Sequence, residues 1–325
     1  MVYSRGFAQC NPGGVMSYTF GPVPSRRLGR SLGVDIVPHK VCTMSCVYCE
    51  VGLTTEMTLK RREWVPTDTV VDEIRYRIGT EHGLDWITFT GSGEPTLHSG
   101  LGRMIAAVKR FSEVPMCVLT NGSLLWDKNV RSGLMEANLV IPTLVSLRDD
   151  CFRHVTRAHP GLSLPDIVEG MVTFRDEYHG ELWIEIMFVA GMNDTQEDVE
   201  LLKAVADRIQ PDKIQLNTIV RPPAVSKSRP VSEEWLHGVN TAFGDRAEVI
   251  ASFDRETHNQ DIPEAEIIRE YLDRRPGTAE DLSSALGIDQ VDAQRLLDEL
   301  HVAGFVRNRE FDGRIYWESI KRNVT

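Results

Sequence analysis

Three of the chain's six cysteines, Cys42, Cys46 and Cys49, crowd into the stretch KVCTMSCVYCEVG between Lys40 and Gly52. The spacing Cys-x3-Cys-x2-Cys lets three thiolates converge from one loop on a single object. A fourth would close an iron–sulfur or structural zinc site completely. Three leave one metal position open, and an open position is how a metal site takes hold of a reactant. Two other readings stand beside this one: a structural zinc completed by a distant ligand, for which His39 is near enough in sequence, and three buried thiols. The remaining cysteines, Cys10, Cys117 and Cys151, are scattered. Small secreted proteins use dispersed cysteines as disulfide staples, a device that a chain of 325 residues does not need.

The elements that must hold this loop are visible as alternating patterns. Six short apolar runs read as strands: GVDIVP from Gly33, WITFTG from Trp86, MCVLTNG from Met116, LVIPTL from Leu139, LWIEIMFVAG from Leu182 and KIQLNTIV from Lys213. Between them, TDTVVDEIRYRI and TQEDVELLKAVADRI carry apolar residues at helical spacing. NDTQED supplies cap-forming and acidic residues for the start of the second helix. Apolar strands alternating with helices argue an α/β fold with a parallel sheet, either doubly wound or curled into a barrel. The cysteines follow the first strand, while GSGEP, TNGS, VAGMND and NTIVRPP stand at the ends of the second, third, fifth and sixth. Those strand ends, together with the loop RPPAVSKSRPVSEE, form the edge where parallel β/α proteins bind ligands. There is no GxGxxG after the first strand and no GxxxxGK followed by Ser or Thr, so dinucleotide and P-loop readings have no support.

Tyr48 stands immediately before Cys49. In this setting the chain resembles the radical S-adenosylmethionine (SAM) superfamily, whose defining motif is CxxxCxxC with an aromatic residue at this place. The resemblance implies that Cys42, Cys46 and Cys49 bind a [4Fe-4S] cluster and that SAM chelates the fourth iron through its amino and carboxylate groups. It also implies a radical SAM enzyme, which cleaves SAM reductively to methionine and a 5′-deoxyadenosyl radical that abstracts hydrogen from a substrate. The electron would come from a donor such as flavodoxin or ferredoxin. Gly91, Ser92, Gly93 and Glu94 look like the glycine-rich segment that holds the SAM amino group, although a plain strand-to-helix turn would read the same way. Glycines bring backbone close to a ligand, and Glu94 or an exposed carbonyl accepts from an ammonium. Asn121 and Asn193 would serve the ribose or carboxylate of SAM, or else simply shape turns. Asn217 and Arg221 close the sixth strand, where Arg221 would meet the SAM carboxylate or an anionic substrate group, or else belong to a surface loop. Tyr48 would lie beside the adenine. The resemblance names no catalytic side chain.

FGPVPSRRLGRSLGVD from Phe20, AHPGLSL from Ala158, LWIEIMFVAGMNDT and NTIVRPPA extend the likeness to a subgroup related to the wyosine-base Fe–S oxidoreductases, over residues 17–230. The fold this implies is a partial (β/α)6 TIM-like barrel, assigned to residues 17–255 and agreeing with the six strands above. The chain departs from that subgroup in two ways. The wyosine-forming enzymes carry a second cysteine trio, whereas Cys10, Cys117 and Cys151 form none, and Cys117 in its strand reads as a small buried hydrophobe. Val145 also stands where related proteins carry an Asp in a PSLDA-like run. Wyosine chemistry is therefore not carried over.

Hydrophobic content of 42% and charged content of 26% predict a globular chain with a sizeable core. No apolar run approaches the roughly 20 residues of a membrane span. MVYSRGFAQCNPGG lacks the apolar stretch of a secretory signal, so a cytoplasmic address is expected, with residues 1–16 as an N-terminal extension. A net charge of -11 disfavours broad binding to nucleic acid.

Residues 262–325 change character: three short helical patterns precede two β-like runs joined at Asp312-Gly313, a hairpin signal. This predicts a winged helix-turn-helix domain. Its second helix, QVDAQRLLDEL, sets Asp292, Asp298 and Glu299 against Arg295, and the segment holds 13 acidic and 9 basic side chains. A phosphate backbone demands the opposite, although Arg307, Arg309 and Arg314 make the wing locally basic. A peptide or protein partner is expected there ahead of nucleic acid, and a polypeptide or small metabolite as substrate ahead of an RNA base. The contrasting alternative is a zinc-stabilised regulatory or scaffold protein that binds a partner through the winged helix.

Overall fold

The computed structural model describes residues 9–10, 16–25, 27–251, 265–286 and 288–320. The N-terminal extension expected over 1–16 lies largely outside these residues, and the passage expected at 255–262 lies wholly outside them. Eight strands form one sheet. The edge strand β1 (Thr19–Ser25) pairs antiparallel with β2 (Gly29–Val34). The parallel strands β3 (Trp86–Phe89), β4 (Met116–Thr120), β5 (Leu139–Leu144), β6 (Glu181–Phe188), β7 (Lys213–Thr218) and β8 (Ala247–Val249) then follow in chain order. An unswitched order belongs to a barrel rather than a doubly wound sheet. Among the described residues its two edges do not pair, so the sheet stays open, as a partial barrel would.

The strands β3 to β7 are those expected from the sequence, whereas the run expected from Gly33 overlaps β2 only at Gly33 and Val34. β1 was hidden by Pro22 and Pro24, which cannot donate to a ladder and are tolerated at a sheet edge. β8 is only three residues long, too short to show a period.

Helices α1 (Thr67–Thr80), α2 (Leu101–Lys109), α3 (Lys128–Leu134), α4 (Asp149–Thr156), α5 (Leu164–Glu177), α6 (Gln196–Ile209) and α7 (Glu233–Phe243) fill the crossovers. Strand side chains alternate between faces. Val118, Val140 and Ile184 join Ile74, Met104, Phe174 and Leu202 of the helices in the main core. Their neighbours Cys117, Leu139 and Trp183 turn to the other face and pack with Leu28 and Ile141. Cys117 is thus a small member of an apolar layer. The helix start expected at NDTQED is a capping box: the Thr195 side chain accepts from the Asp198 amide, and the Asp198 side chain accepts from the Thr195 amide.

The C-terminal segment contains α8 (Ala265–Arg274), α9 (Ala279–Leu286) and α10 (Gln290–Val302), then an antiparallel pair β9 (Val306–Phe311) and β10 (Arg314–Ser319). Asp312 and Gly313 make the turn with φ of 49° and 71°, the left-handed pair that a two-residue hairpin requires. Ile268, Leu282, Leu297, Val306 and Trp317 form a separate core against which Val23 of β1 packs. Among the described residues, no helix is long and apolar enough to cross a membrane.

Candidate functional site

The cysteine loop leaves the end of β2 and is pinned by backbone hydrogen bonds from several directions. Ser45 N and Val47 N donate to Thr156 O and Val155 O at the end of α4, both at 2.9 Å. Glu94 N donates to Val41 O at 3.1 Å, while Ala224 N and Val225 N, beyond β7, donate to Cys49 O and Val47 O at 2.9 and 3.0 Å. Within the loop, Cys49 N reaches Cys46 O at 3.2 Å. Three strand ends and a helix terminus therefore fix where the thiols stand. The site sits at the C-terminal edge of the parallel sheet, as the strand-end motifs suggested.

Each sulfur has a defined environment. Burial pushes the Cys42 thiol up to about 11, with Glu94 adding to the effect and Lys40 opposing it. Burial, followed by Cys42 and Cys49, pushes Cys46 up to about 12. Lys40 Nζ donates to Cys49 Sγ at 3.1 Å, and Asn121 Nδ2 lies 3.6 Å from Cys42 Sγ. Burial, then Cys46, raises Tyr48 well above the usual phenol range, and its hydroxyl is within hydrogen-bonding reach of Cys46. Among the described residues, no three His, Cys, Asp or Glu side chains are gathered as a single metal ion requires.

The GSGEP turn lies against this loop. A Cβ on Gly93 would stand 2.1 Å from Val41 O, so only glycine permits the approach, and Gly91 adopts a φ of +127°. Ser92 N and Oγ both donate to Asp35 Oδ2, at 3.0 and 2.5 Å. Glu94 is buried and already engaged. Its Oε1 accepts from Thr96 N at 3.0 Å, Thr96 Oγ1 at 2.5 Å and Thr120 Oγ1 at 2.6 Å, and its Oε2 accepts from Asn121 N at 2.8 Å. Burial raises its pKa, and these donors work against the rise. The carboxylate thus ties the end of β3 to the end of β4.

Other sequence-proposed residues go elsewhere. Asn121 is at the loop, its amide donating to Thr43 Oγ1 at 2.8 Å. Asn193 is fully buried, donates to Val145 O at 2.6 Å and Met187 O at 2.8 Å, and accepts from Val189 N at 2.7 Å. Its amide closes the end of β6 and is not presented to a ligand. Asn217 donates to Glu185 Oε1 at 2.6 Å. Arg221 is 1% exposed and lies between Glu50, at 3.4 Å, and Asp281 of α9, at 3.3 Å. Burial disfavours its charge, but Glu50, Tyr271 and Asp281 outweigh that and raise its pKa. A contact from Asn193 or Arg221 to SAM would compete with these bonds.

Two features went unread in the sequence. Lys40 is a charged residue two positions ahead of Cys42, and its position was the available signal. Glu185 is the only acidic residue inside β6 after its first position. It takes Thr143 Oγ1 at 3.0 Å and Asn217, is ion-paired with Arg27, and contributes to raising Tyr48. A polar group built on Glu185 therefore faces the same side of the sheet as the cysteine loop.

A family model described as the Radical SAM superfamily matches residues 36–204 of this chain. The chain belongs to the radical SAM superfamily. A UPF0026 protein of Methanocaldococcus jannaschii is 36% identical over 232 residues, covering 71% of this chain and 72% of that protein. A protein of Brachyspira hyodysenteriae named GTPase Obg is 31% identical over 90% of this chain, which spans only 44% of that relative's length. Its name stays with it, since this chain carries no P-loop sequence. Among solved structures, a radical SAM methyltransferase from Sphaerobacter thermophilus superposes with a TM-score of 0.52 at 16% identity, over 67% of this chain and 65% of that one. Streptococcus suis SuiB, bound to its precursor peptide SuiA, gives 0.53 at 13% identity, over 69% and 50%. At such identities these two speak for the fold. Membership of the radical SAM superfamily makes the chain an enzyme whose cofactors are SAM and a [4Fe-4S] cluster. The residues present fit both: soft thiols on a pinned loop suit iron, and the glycine turn brings backbone up to its edge.

Proposed function

We propose that Cys42, Cys46 and Cys49 ligate the [4Fe-4S] cluster and that the turn from Gly91 to Glu94, with Tyr48 and Asn121, receives SAM at its open iron. When bound, the cluster supplies the electron that cleaves SAM to methionine and the 5′-deoxyadenosyl radical, which abstracts hydrogen from substrate. The protein's own part is positional. Backbone bonds from α4, Glu94 and Ala224 hold the thiols in place, Gly93 lets the turn approach Val41, and Glu94 fixes the spacing of the turn from Asn121. The observation that carries this reading is the junction of the cysteine loop with the GSGEP and TNGS strand ends.

The polar group of Arg27, Glu185, Asn217 and Thr143 supports a substrate seated within the sheet's concave side. The helices and hairpin of 265–320 support reading residues 262–325 as a winged helix-turn-helix domain beside the barrel of 17–255. On α10, Arg295 is already paired with Asp292 and Glu299, at 3.5 and 2.7 Å, which leaves little cationic charge for a phosphate backbone. This favours a peptide or protein partner there over nucleic acid; a polypeptide or small metabolite is proposed as substrate, and a donor such as flavodoxin or ferredoxin as the source of the electron.

The test is anaerobic reconstitution followed by dithionite and SAM. The native protein is expected to release 5′-deoxyadenosine. Cys46→Ala should keep its circular dichroism while losing iron and product, and a fully active Cys46→Ala would overturn the ligand assignment.

A further inference from the structure

Lys40 takes no part in the assignments above, yet it is a cation withdrawn from water at the cysteine loop, with 3% of its surface exposed. Burying an ammonium is costly unless it is paired and hydrogen-bonded. Its hydrogen-bond partner is Cys49 Sγ, 3.1 Å from Nζ. The backbone is arranged for that contact. Lys40 has a φ of +58°, a left-handed conformation that a residue with a side chain keeps only where its surroundings impose it. Here Lys40 N donates to Ser92 O at 2.6 Å, and Lys40 O accepts from Thr55 N at 3.0 Å and Glu56 N at 3.3 Å. The GSGEP turn grips one side of the residue and the segment beyond the cysteines grips the other. The charge between them is aimed at a sulfur.

We propose that Lys40 sets the reduction potential of the cluster, through its buried charge and its N–H···S bond to Cys49. This rests on the ligand assignment under Proposed function. Reduction by one electron adds one negative charge to the cluster and its thiolates. A fixed cation beside Cys49 stabilises the reduced state more than the oxidised one. Net charge and hydrogen bonds to the sulfurs are recognised determinants of such potentials. Lys40 therefore raises the potential and makes the cluster easier to reduce. It acts through Cys49 and is a positioning residue rather than a catalytic one.

The experiment compares native protein with Lys40→Arg, Lys40→Gln and Lys40→Met, all reconstituted anaerobically as full chains. Iron and sulfide are counted, and the clusters are titrated with dithionite and mediators without SAM, followed by electron paramagnetic resonance. At the native midpoint, the Gln and Met variants are expected to show a ratio of reduced to oxidised cluster about tenfold lower, a shift of about 59 mV for one electron. Lys40→Arg, which keeps the charge, is expected to titrate with the native protein. Neutral variants that carry the cluster at the native midpoint would refute the proposal. So would neutral variants that take up no cluster beside a normal Arg variant, since Lys40 would then serve assembly. If native protein itself takes up no iron, the ligand assignment fails and this proposal falls with it.

Discussion

Replacing Glu94 by Gln separates two roles for the GSGEP turn: a carboxylate that meets the SAM ammonium, and a carboxylate that ties two strand ends together. Four donors from Thr96, Thr120 and Asn121 already point at its two oxygens. Gln keeps the shape, gives up the charge and turns one acceptor into an N–H donor. With the amide nitrogen at the Oε2 position, the Asn121 N–H loses its acceptor. With the nitrogen at Oε1, the Thr96 N–H does. Either way a buried backbone donor is left facing another donor, at about 1–3 kcal/mol, and the surviving bonds lose their charge assistance. The sum is about 2–4 kcal/mol, or roughly 4–16 °C in Tm for a domain of this size. The assay is calorimetry of the metal-free protein, where no ligand contributes, paired with titration of SAM into the reconstituted protein. The expected result is a lowered Tm before any cofactor is present. A metal-free Tm within about 1 °C of native, together with a SAM affinity about tenfold weaker, would show that the carboxylate acts on the ligand and that its four donors matter little.

Three further outcomes follow from the geometry. Gly93→Ala puts a methyl 2.1 Å from Val41 O and must displace the backbone that carries Cys42, so iron loading should fall sharply while helix content holds; full loading would show that the approach is not needed. His98 is buried, accepts from Gly100 N and meets Val65 O, both at 2.9 Å, and burial holds its pKa below 6.5. The unfolded chain therefore binds the proton first, so stability is complete above pH 6.5 and is lost as pH falls below it, and His98→Gln should flatten that limb of the stability curve. An unchanged limb would assign the acid loss to other groups. Asp281→Asn removes an acidic partner of buried Arg221 at about 1–3 kcal/mol, less than a fully unpaired buried charge because Glu50 remains. Faster hydrogen exchange across residues 265–320 is the expected sign, and native protection there would refute the tether.

The strands and the cysteine loop were legible because each obeys a local rule. Continuous apolar runs mark buried parallel strands, and three thiols at fixed spacing need no distant information to be recognised. The strand-end turns gathered as expected because successive strands of an unswitched sheet bring successive ends together. Hydrogen-bond partners were not legible. Asn193 and Arg221 have side chains suited to a ligand, and sequence says what such groups can bond to but not what already occupies them. Arg221 meets Asp281, 60 positions later in a different segment, and no local pattern announces that pairing. Glu94 and an exposed carbonyl stood as alternative acceptors, and two of the donors on Glu94, from Thr120 and Asn121 at the end of the next strand, are brought near only by the fold.

The C-terminal segment and the cysteine loop share a support. Arg221 lies between Glu50, the residue after Cys49, and Asp281 at the start of α9. Tyr316 of β10 donates to Val220 O at 2.8 Å, and four residues on, Ala224 N donates to Cys49 O. Phe311, at the end of β9, packs with Tyr48 against the apolar patch of Val47, Val145, Val155, Met187, Val189 and Ile219. A segment that only capped the sheet would touch none of these. Here the short stretch from Val220 to Val225 bonds to both sides, so a displacement of the C-terminal segment would act first on the backbone that holds Cys49. A ligand that drew on Arg221 would compete with its pairs to Glu50 and Asp281. The Arg221 charge joins the C-terminal segment to the loop that holds Cys42, Cys46 and Cys49.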